Sequence, residues 1–333
     1  MVNSTTIVIA CHEGAALLRE TLSSCIEQEL RPQAIIVVDD GSSVPLEQQL
    51  ADFDSGATPI RHLRILNQGP SVARNIGLGL VTSDLVWFLD GDDLLMPRSL
   101  AQMTAWLEES DAAFVVGREQ GFTTTELDQA RWDAAAGWTQ PGPSHGVEVF
   151  RPAVSIYTTM PGSCNNVLMR TGLARRAGGF HPALRVGEDA EFLIRLAVAA
   201  GDQAAARAAG PVILLKRLYQ PGARNGRPHQ LPYVPIAATM MAATIRGHVP
   251  PADLPRFRFY SDNLYLHAAY SVRHRLPVDH AVALQGWRHY GWCRPGIRPR
   301  WHLWLHRLMG IRPAEQLLGC VRASRDFLLG RSK

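Results

Sequence analysis

Three acidic clusters in this 333-residue chain have side chains and spacing suited to chemistry. Asp90-Gly91-Asp92-Asp93 places three carboxylates within four residues, directly after the apolar run Leu85-Val86-Trp87-Phe88-Leu89. Like charges packed this closely repel, so a cation or a set of donors must answer them. Carboxylate oxygens suit Mg²⁺ or Mn²⁺, and Mg²⁺ is commonly held by one or two carboxylates together with substrate phosphates. Asp39-Asp40-Gly41-Ser42-Ser43 follows a second apolar run, and Glu188-Asp189 opens a stretch with Phe192, Leu193, Leu196 and Ala197 at helical spacing. Each cluster also has a plainer reading. Aspartate and serine cap helix starts, and acids in a first turn are favoured by the helix dipole. On residue types alone, both readings stand.

The elements that must position these clusters follow from periodicity. Thr6 to Cys11, Ala34 to Val38, His62 to Leu66, the Leu85 run, Ala112 to Gly117, Asn165 to Arg170 and Pro211 to Leu218 read as strands. Between them, Leu18, Leu22, Cys25 and Ile26 predict a helix that stops before Pro32. Ser71 is the expected N-cap of a helix through Leu80, after the turn Asn67-Gln68-Gly69-Pro70. Pro97 starts a helix with Leu100, Met103 and Leu107 on one face, and a short helix is expected from Thr171, ending at Gly178-Gly179. Continuous apolar strands alternating with amphipathic helices predict βαβ units and a mostly parallel sheet flanked by helices. Ligands of such sheets lie beyond the carboxyl ends of the strands. Cys11-His12-Glu13, Asp39-Asp40-Gly41-Ser42 and Asp90-Gly91-Asp92-Asp93 are therefore expected on one edge.

Composition bounds the rest. Apolar residues make up 46% of the chain and charged residues 19%, which is globular rather than disordered. The net charge of +4 is uneven, since Gln285 to Lys333 holds ten arginines or lysines against two acids. Five cysteines without a C-x-x-C pair read as reduced thiols of a cytoplasmic protein. A basic start followed by an apolar core is missing, so no signal peptide is expected. The uncharged stretches Pro152 to Met169 and Leu231 to Ile245 each carry prolines and polar residues, and neither reads as a bilayer span.

Six motifs, in order, carry a resemblance: Leu17-Leu18-Arg19-Glu20-Thr21, Val37-Val38-Asp39-Asp40-Gly41-Ser42, Asn67 to Asn75, Phe88-Leu89-Asp90-Gly91-Asp92-Asp93, Gly178-Gly179-Phe180 and Gly187-Glu188-Asp189. From about Thr5 to Gly226 the chain resembles family 2 glycosyltransferases of the GT-A fold. The resemblance implies a catalytic, nucleotide-sugar-binding domain over 1–226 with a Rossmann-like sheet, and a helical, basic C-terminal region over 227–333. It implies inverting transfer of a sugar from a nucleotide-diphosphate donor, expected to be UDP-linked, to an acceptor hydroxyl, assisted by Mn²⁺ or Mg²⁺. By matching position, the resemblance implies that Asp39 contacts the uracil ring, that Arg74 lies near the phosphates, and that Asp90 and Asp92 hold the metal across Gly91, with Asp93 able to share or take over the duty of Asp92. Asp189 takes the acceptor proton, with Glu188 orienting acceptor or base. The competing readings are a helix-capping Asp39, although Asp40 or Ser42 suits that duty better, a surface Arg74 and a first-turn cap at Asp189.

The chain departs from the family pattern in two places. Ala10-Cys11-His12-Glu13 replaces a Pro-Thr-Tyr-Asn-like end of the first strand, with Cys11, His12 and Glu13 still expected around the nucleotide. Tyr219-Gln220-Pro221-Gly222 stands where relatives carry a His-Pro-Gly-like loop, and His229 reads as an ordinary loop histidine. The irregular stretch from Arg118 to Met160 reads as a lid, an acceptor loop or an insertion. Near the C-terminus, Trp301, Trp304, Leu305 and Leu308 form an apolar stripe with basic flanks; His302 and His306 read as surface. This region suits docking on the catalytic domain or peripheral contact with an anionic membrane, at the inner face. Nucleic-acid binding is not expected, because no recognisable module accompanies the basic residues. A nucleotidyltransferase would need a Gly-rich loop with Lys or Arg after the first strand, which Cys11-His12-Glu13-Gly14-Ala15 lacks. A non-catalytic glycosyltransferase-like module is the remaining alternative.

Overall fold

The computed structural model describes residues 3–123, 126–128, 130–131, 147–150 and 163–218, with isolated positions between 237 and 247. Strands β1 (Thr5–Cys11), β2 (Ala34–Asp39), β3 (Ile60–Arg64) and β4 (Leu85–Asp90) pair in parallel in the order β3-β2-β1-β4. Their side chains alternate between two cores, as the period of two requires. Ile7, Ile9, Ile35, Val37, Trp87 and Leu89 pack with helices α1 (Ala15–Ile26) and α4 (Ser99–Glu109). Val8, Ile36, Val38, Val86 and Phe88 pack on the opposite face with α3 (Pro70–Leu80), α5 (Thr171–Arg176) and α6 (Glu188–Ala200). Burial on both faces explains why β1, β2 and β4 read as unbroken apolar runs, whereas the edge strand β3 does not.

Among the described residues the sheet continues through β8 (Val167–Arg170), β6 (Phe114–Phe122), β9 (Ala205–Arg217) and the two-residue β5 (Leu94–Leu95), with β7 (Val147–Phe150) on β9. β8 is antiparallel to both β4 and β6, and β9 runs parallel to β6. The mostly parallel sheet with flanking helices is present, and its four-strand half β3-β2-β1-β4 is wholly parallel. A further short helix, α2 (Leu46–Gln49), follows the Asp39 cluster.

Several boundaries differ from expectation. β3 begins at Ile60, which pairs with Ile35, and ends at Arg64 rather than Leu66. β9 begins at Ala205, because pairing with β6 and β7 overrides the helix preference of its alanines. Ser71 is not the cap of α3. Gly69 occupies that position with φ 94°, and the Ser71 hydroxyl donates to the Leu184 carbonyl at 2.6 Å. The start of α3 is held instead by Asp40, whose oxygens accept the Gln68 and Gly69 N–H groups at 2.7 and 2.8 Å. Pro70 at the first turn has no N–H and so needs no acceptor.

One glycine sets how closely α3 approaches the sheet. A Cβ at Gly77 would overlap Val8 Cγ1 in β1. Gly77→Ala is therefore expected to lower stability by about 1–3 kcal/mol through overpacking, read by chemical denaturation. Among the described residues, Cys11, Cys25 and Cys164 are all buried. No helix among the described residues is long and apolar enough to cross a membrane. Gln220, His229, His302, His306 and the tryptophan stripe lie outside the described residues, as does most of 227–333.

Candidate active site

The three strand ends do meet on one edge. Cys11 is in register with Asp39, and Ala10 with Asp90. At the β2 end, Asp39 is buried, and its carboxylate accepts the N–H groups of Ser42 at 2.8 Å and Leu46 at 3.1 Å. Burial opposes its charge, but these donors and Arg64, 3.9 Å away, hold its pKa below the usual value. Asp39 thus organises the turn into α2, while Asp40 ties the loop to α3. Both aspartates have a capping duty, where sequence reasoning favoured Asp40 or Ser42.

The loop after β1 lies against the same turns. His12 Nδ1 is 3.0 Å from the Asp40 carbonyl and 3.3 Å from Asn67 Nδ2. Ser42 Oγ accepts the Glu13 N–H, and the Glu13 carboxylate accepts the Ser43 N–H at 2.6 Å, which lowers its pKa. Cys11 donates its thiol hydrogen to the Glu13 carbonyl at 3.0 Å. Gly91 packs against this cysteine: a Cβ there would come within 3.0 Å of Cys11 Sγ. The absence of a side chain at Gly91 lets the acidic turn lie directly over the end of β1.

Asp90, Asp92 and Asp93 each offer an oxygen, and these oxygens lie within 4.8 Å of one another. Asp93 is almost fully buried; its Oδ1 accepts the Arg217 N–H at 2.8 Å and its Oδ2 accepts from Asn165 Nδ2 at 2.8 Å. Burial, with Asp90 and Asp92 beside it, pushes its pKa up to about 8. Arg217 also donates to the Asp92 carbonyl at 3.0 Å and pairs with Glu20 at 2.8 Å, fastening β9 and α1 to the turn. Lys216 donates to Ser163 Oγ at 3.2 Å; burial opposes its charge, and the fields of Asp93 and Asp90 raise its pKa. The residues present fit a divalent cation on two counts. Asp90 and Asp92 raise the cost of ionising Asp93, and the buried Asn165 Oδ1 has no donor. A buried acceptor without a partner calls for an ion or water.

Arg74 is the link between this turn and the second acidic pair. It is 4% exposed, which excludes the surface-arginine reading. Its guanidinium donates to Asp90 Oδ1 at 2.7 Å and Glu188 Oε1 at 2.9 Å, and lies 3.3 Å from Asp189 Oδ1. Beneath it is the ring of Phe180, 5.1 Å from the guanidinium carbon, which in turn packs edge-on against Phe88. Burial works against the arginine charge, but Asp189, Asp90 and Glu188 outweigh it and hold its pKa well above normal.

Glu188 and Asp189 open α6, where Gly187 adopts a left-handed conformation at the cap. Asp189 Oδ2 accepts the Cys164 N–H at 3.3 Å, whereas Oδ1 is buried and hydrogen-bonded to no protein donor. Burial first, with Glu188 and Asp90 adding to it against Arg74, raises its pKa to about 6. A carboxylate whose proton affinity is raised towards neutrality is suited to general-base work.

Sequence reasoning missed Asn165, Lys216 and Arg217 as members of this cluster. Asn165 is fully buried, and a paired Asn165-Asn166 at the start of an apolar strand was the one available signal.

Comparison with known proteins matches residues 6–159 to the family described as Glycosyl transferase family 2. A pre-mycofactocin glycosyltransferase of Mycobacterium tuberculosis (strain ATCC 25618 / H37Rv) is 31% identical over 199 residues, covering 57% of this chain and 38% of the relative. The succinoglycan biosynthesis protein ExoO of Rhizobium meliloti is 27% identical over 216 residues, covering 61% of this chain and 58% of the relative. The chain thus spans 38% and 58% of these relatives' lengths. Among solved structures, the mannosyltransferase PcManGT from Pyrobaculum calidifontis, in complex with GDP-Man and Mn²⁺, superposes with a TM-score of 0.58 at 18% identity, over 97% of this chain and 80% of that one. S. aureus TarS 1–349 in complex with UDP-GlcNAc gives 0.55 at 14% identity, over 87% and 93%. These likenesses show the GT-A fold.

Proposed function

We propose that this chain, which is a GT-A-fold member of glycosyl transferase family 2 over residues 6–159, moves a sugar from a nucleotide-diphosphate donor to an acceptor hydroxyl with inversion. The observation that carries the reading is the Arg74 bridge, which joins the Asp90 turn to Asp189 through contacts of 2.7 and 3.3 Å. A donor-binding group and a proton acceptor are thereby adjacent in one buried cluster.

The roles follow from how each side chain is committed. Asp90 and Asp92 would hold Mn²⁺ or Mg²⁺, and Asp93, fixed between Asn165 and Arg217, braces the turn and could share the ion. Held by these carboxylates, a divalent cation would supply positive charge to stabilise the departing diphosphate. Asp39 faces the base, using lone pairs left over from the Ser42 and Leu46 contacts; a carboxylate oxygen has two. A carboxylate accepting from the ring N–H of uracil favours a UDP-linked donor, and S. aureus TarS binds UDP-GlcNAc. His12 and Glu13 border the same pocket. In the reaction the acceptor oxygen attacks the anomeric carbon as the bond to diphosphate breaks. Its proton passes to Asp189, and Arg74 adds positive charge beside the leaving group. Attack opposite the leaving group inverts the centre.

Glu188, hydrogen-bonded to Arg74, orients the base rather than taking the proton. The pH dependence follows in sign. Asp189 must be ionised to accept a proton, so kcat/KM is expected to rise with pH and reach half its plateau near pH 6. Asp189→Asn should abolish that limb, as steady-state assays across pH 5 to 8 will read.

The testing experiment is a donor screen by nucleoside-diphosphate release, with Mn²⁺ and after EDTA. Release from at least one UDP-sugar, lost on chelation and restored by Mn²⁺, is expected. Release from no nucleotide-sugar under any metal condition would favour a non-catalytic binding module.

A further inference from the structure

We infer that Asn165 is a positioning residue for the metal-binding carboxylates, acting through a two-way amide bridge; this rests on the metal reading proposed above. Asn165 is fully buried two residues before β8, the antiparallel strand beside β4. Its Nδ2 donates to Asp90 Oδ2 at 2.7 Å and to Asp93 Oδ2 at 2.8 Å. An amide NH₂ carries two donors, and both are spent on carboxylates from two residues of one turn. The asparagine cannot swing away, because its backbone carbonyl accepts the indole N–H of the buried Trp87 at 2.6 Å and its N–H donates to Ser163 Oγ at 3.2 Å.

The bridge decides which lone pairs face a cation. With Arg74 on Asp90 Oδ1 and the Arg217 N–H on Asp93 Oδ1, every carboxylate oxygen of Asp90 and Asp93 accepts one protein hydrogen bond. Each oxygen then has a fixed direction for its remaining lone pair. Without the bridge, the carboxylates of Asp90 and the buried Asp93 would face each other with no donor between them. Groups that orient metal ligands from behind typically matter by 10–100-fold in affinity. The antiparallel insertion of β8 between β4 and β6 is what delivers this amide to the turn.

The test is calorimetric titration of the full chain with Mn²⁺ alone and Ca²⁺ alone, without donor, for wild type, Asn165→Ala and Asn165→Ser. Asn165→Ala is expected to weaken Mn²⁺ by about tenfold or more. It should weaken Ca²⁺ less, because Ca²⁺ tolerates irregular geometry whereas smaller cations demand fixed ligands. Asn165→Ser, which keeps one donor, should fall between wild type and Ala, and this keeps the inference testable if Ala fails to fold. Folded variants with unchanged Mn²⁺ affinity, or an equal loss for both cations, would overturn the bridge role while leaving the metal site standing. Wild type that binds no Mn²⁺ would overturn the metal reading beneath it.

Discussion

Asp189→Asn is expected to lower turnover by about 10²–10⁴-fold with donor KM nearly unchanged, the range lost when a positioned proton acceptor is removed. The substitution conserves shape and leaves an oxygen for the Cys164 N–H, so the fold should persist. Glu188→Gln should cost much less. Glu188 Oε1 is held at 2.9 Å by Arg74, whereas Asp189 has a buried oxygen with no hydrogen-bond donor and a proton affinity raised by burial. Steady-state kinetics of the two variants decide between them. Turnover of Asp189→Asn within threefold of wild type would remove the proton-transfer role from α6.

Arg74→Met is expected to destabilise the protein by about 3–5 kcal/mol, the loss typical when one partner of a buried ion pair is deleted. The arginine is 4% exposed and faces three carboxylates, two of which are themselves mostly buried. Methionine fills the space above Phe180 but leaves Glu188 and Asp189 charged without a counter-ion. Denaturant unfolding in EDTA would measure the loss. A change below 1 kcal/mol would show that the acids are answered by other groups, Lys216 foremost.

Much of the parallel half of the sheet was legible because its information is local. Continuous apolar runs ending in Asp39 and Asp90 mark strands buried on both faces, and parallel pairing brings their ends together. The place of Asp93 was not legible. Three carboxylates in four residues look equivalent in sequence, and only the Arg217 and Asn165 contacts separate Asp93 from Asp92. Arg74 looked like a helix-surface arginine as easily as a buried one, since the partners that define it are 16, 114 and 115 positions away. β9 begins six residues before Pro211 because alanines carry no strand signal of their own; pairing with β6 decides it. Asn165 and Lys216 belong to the same class of tertiary fact.

The central claim, a metal-dependent site for a nucleotide-diphosphate sugar at the ends of β1, β2 and β4, is tested most directly by calorimetric titration with UDP. Binding in Mn²⁺ that disappears in EDTA and in Asp92→Ala is the expected result. UDP binding indifferent to both cation and Asp92, or no UDP binding in any condition, would contradict it.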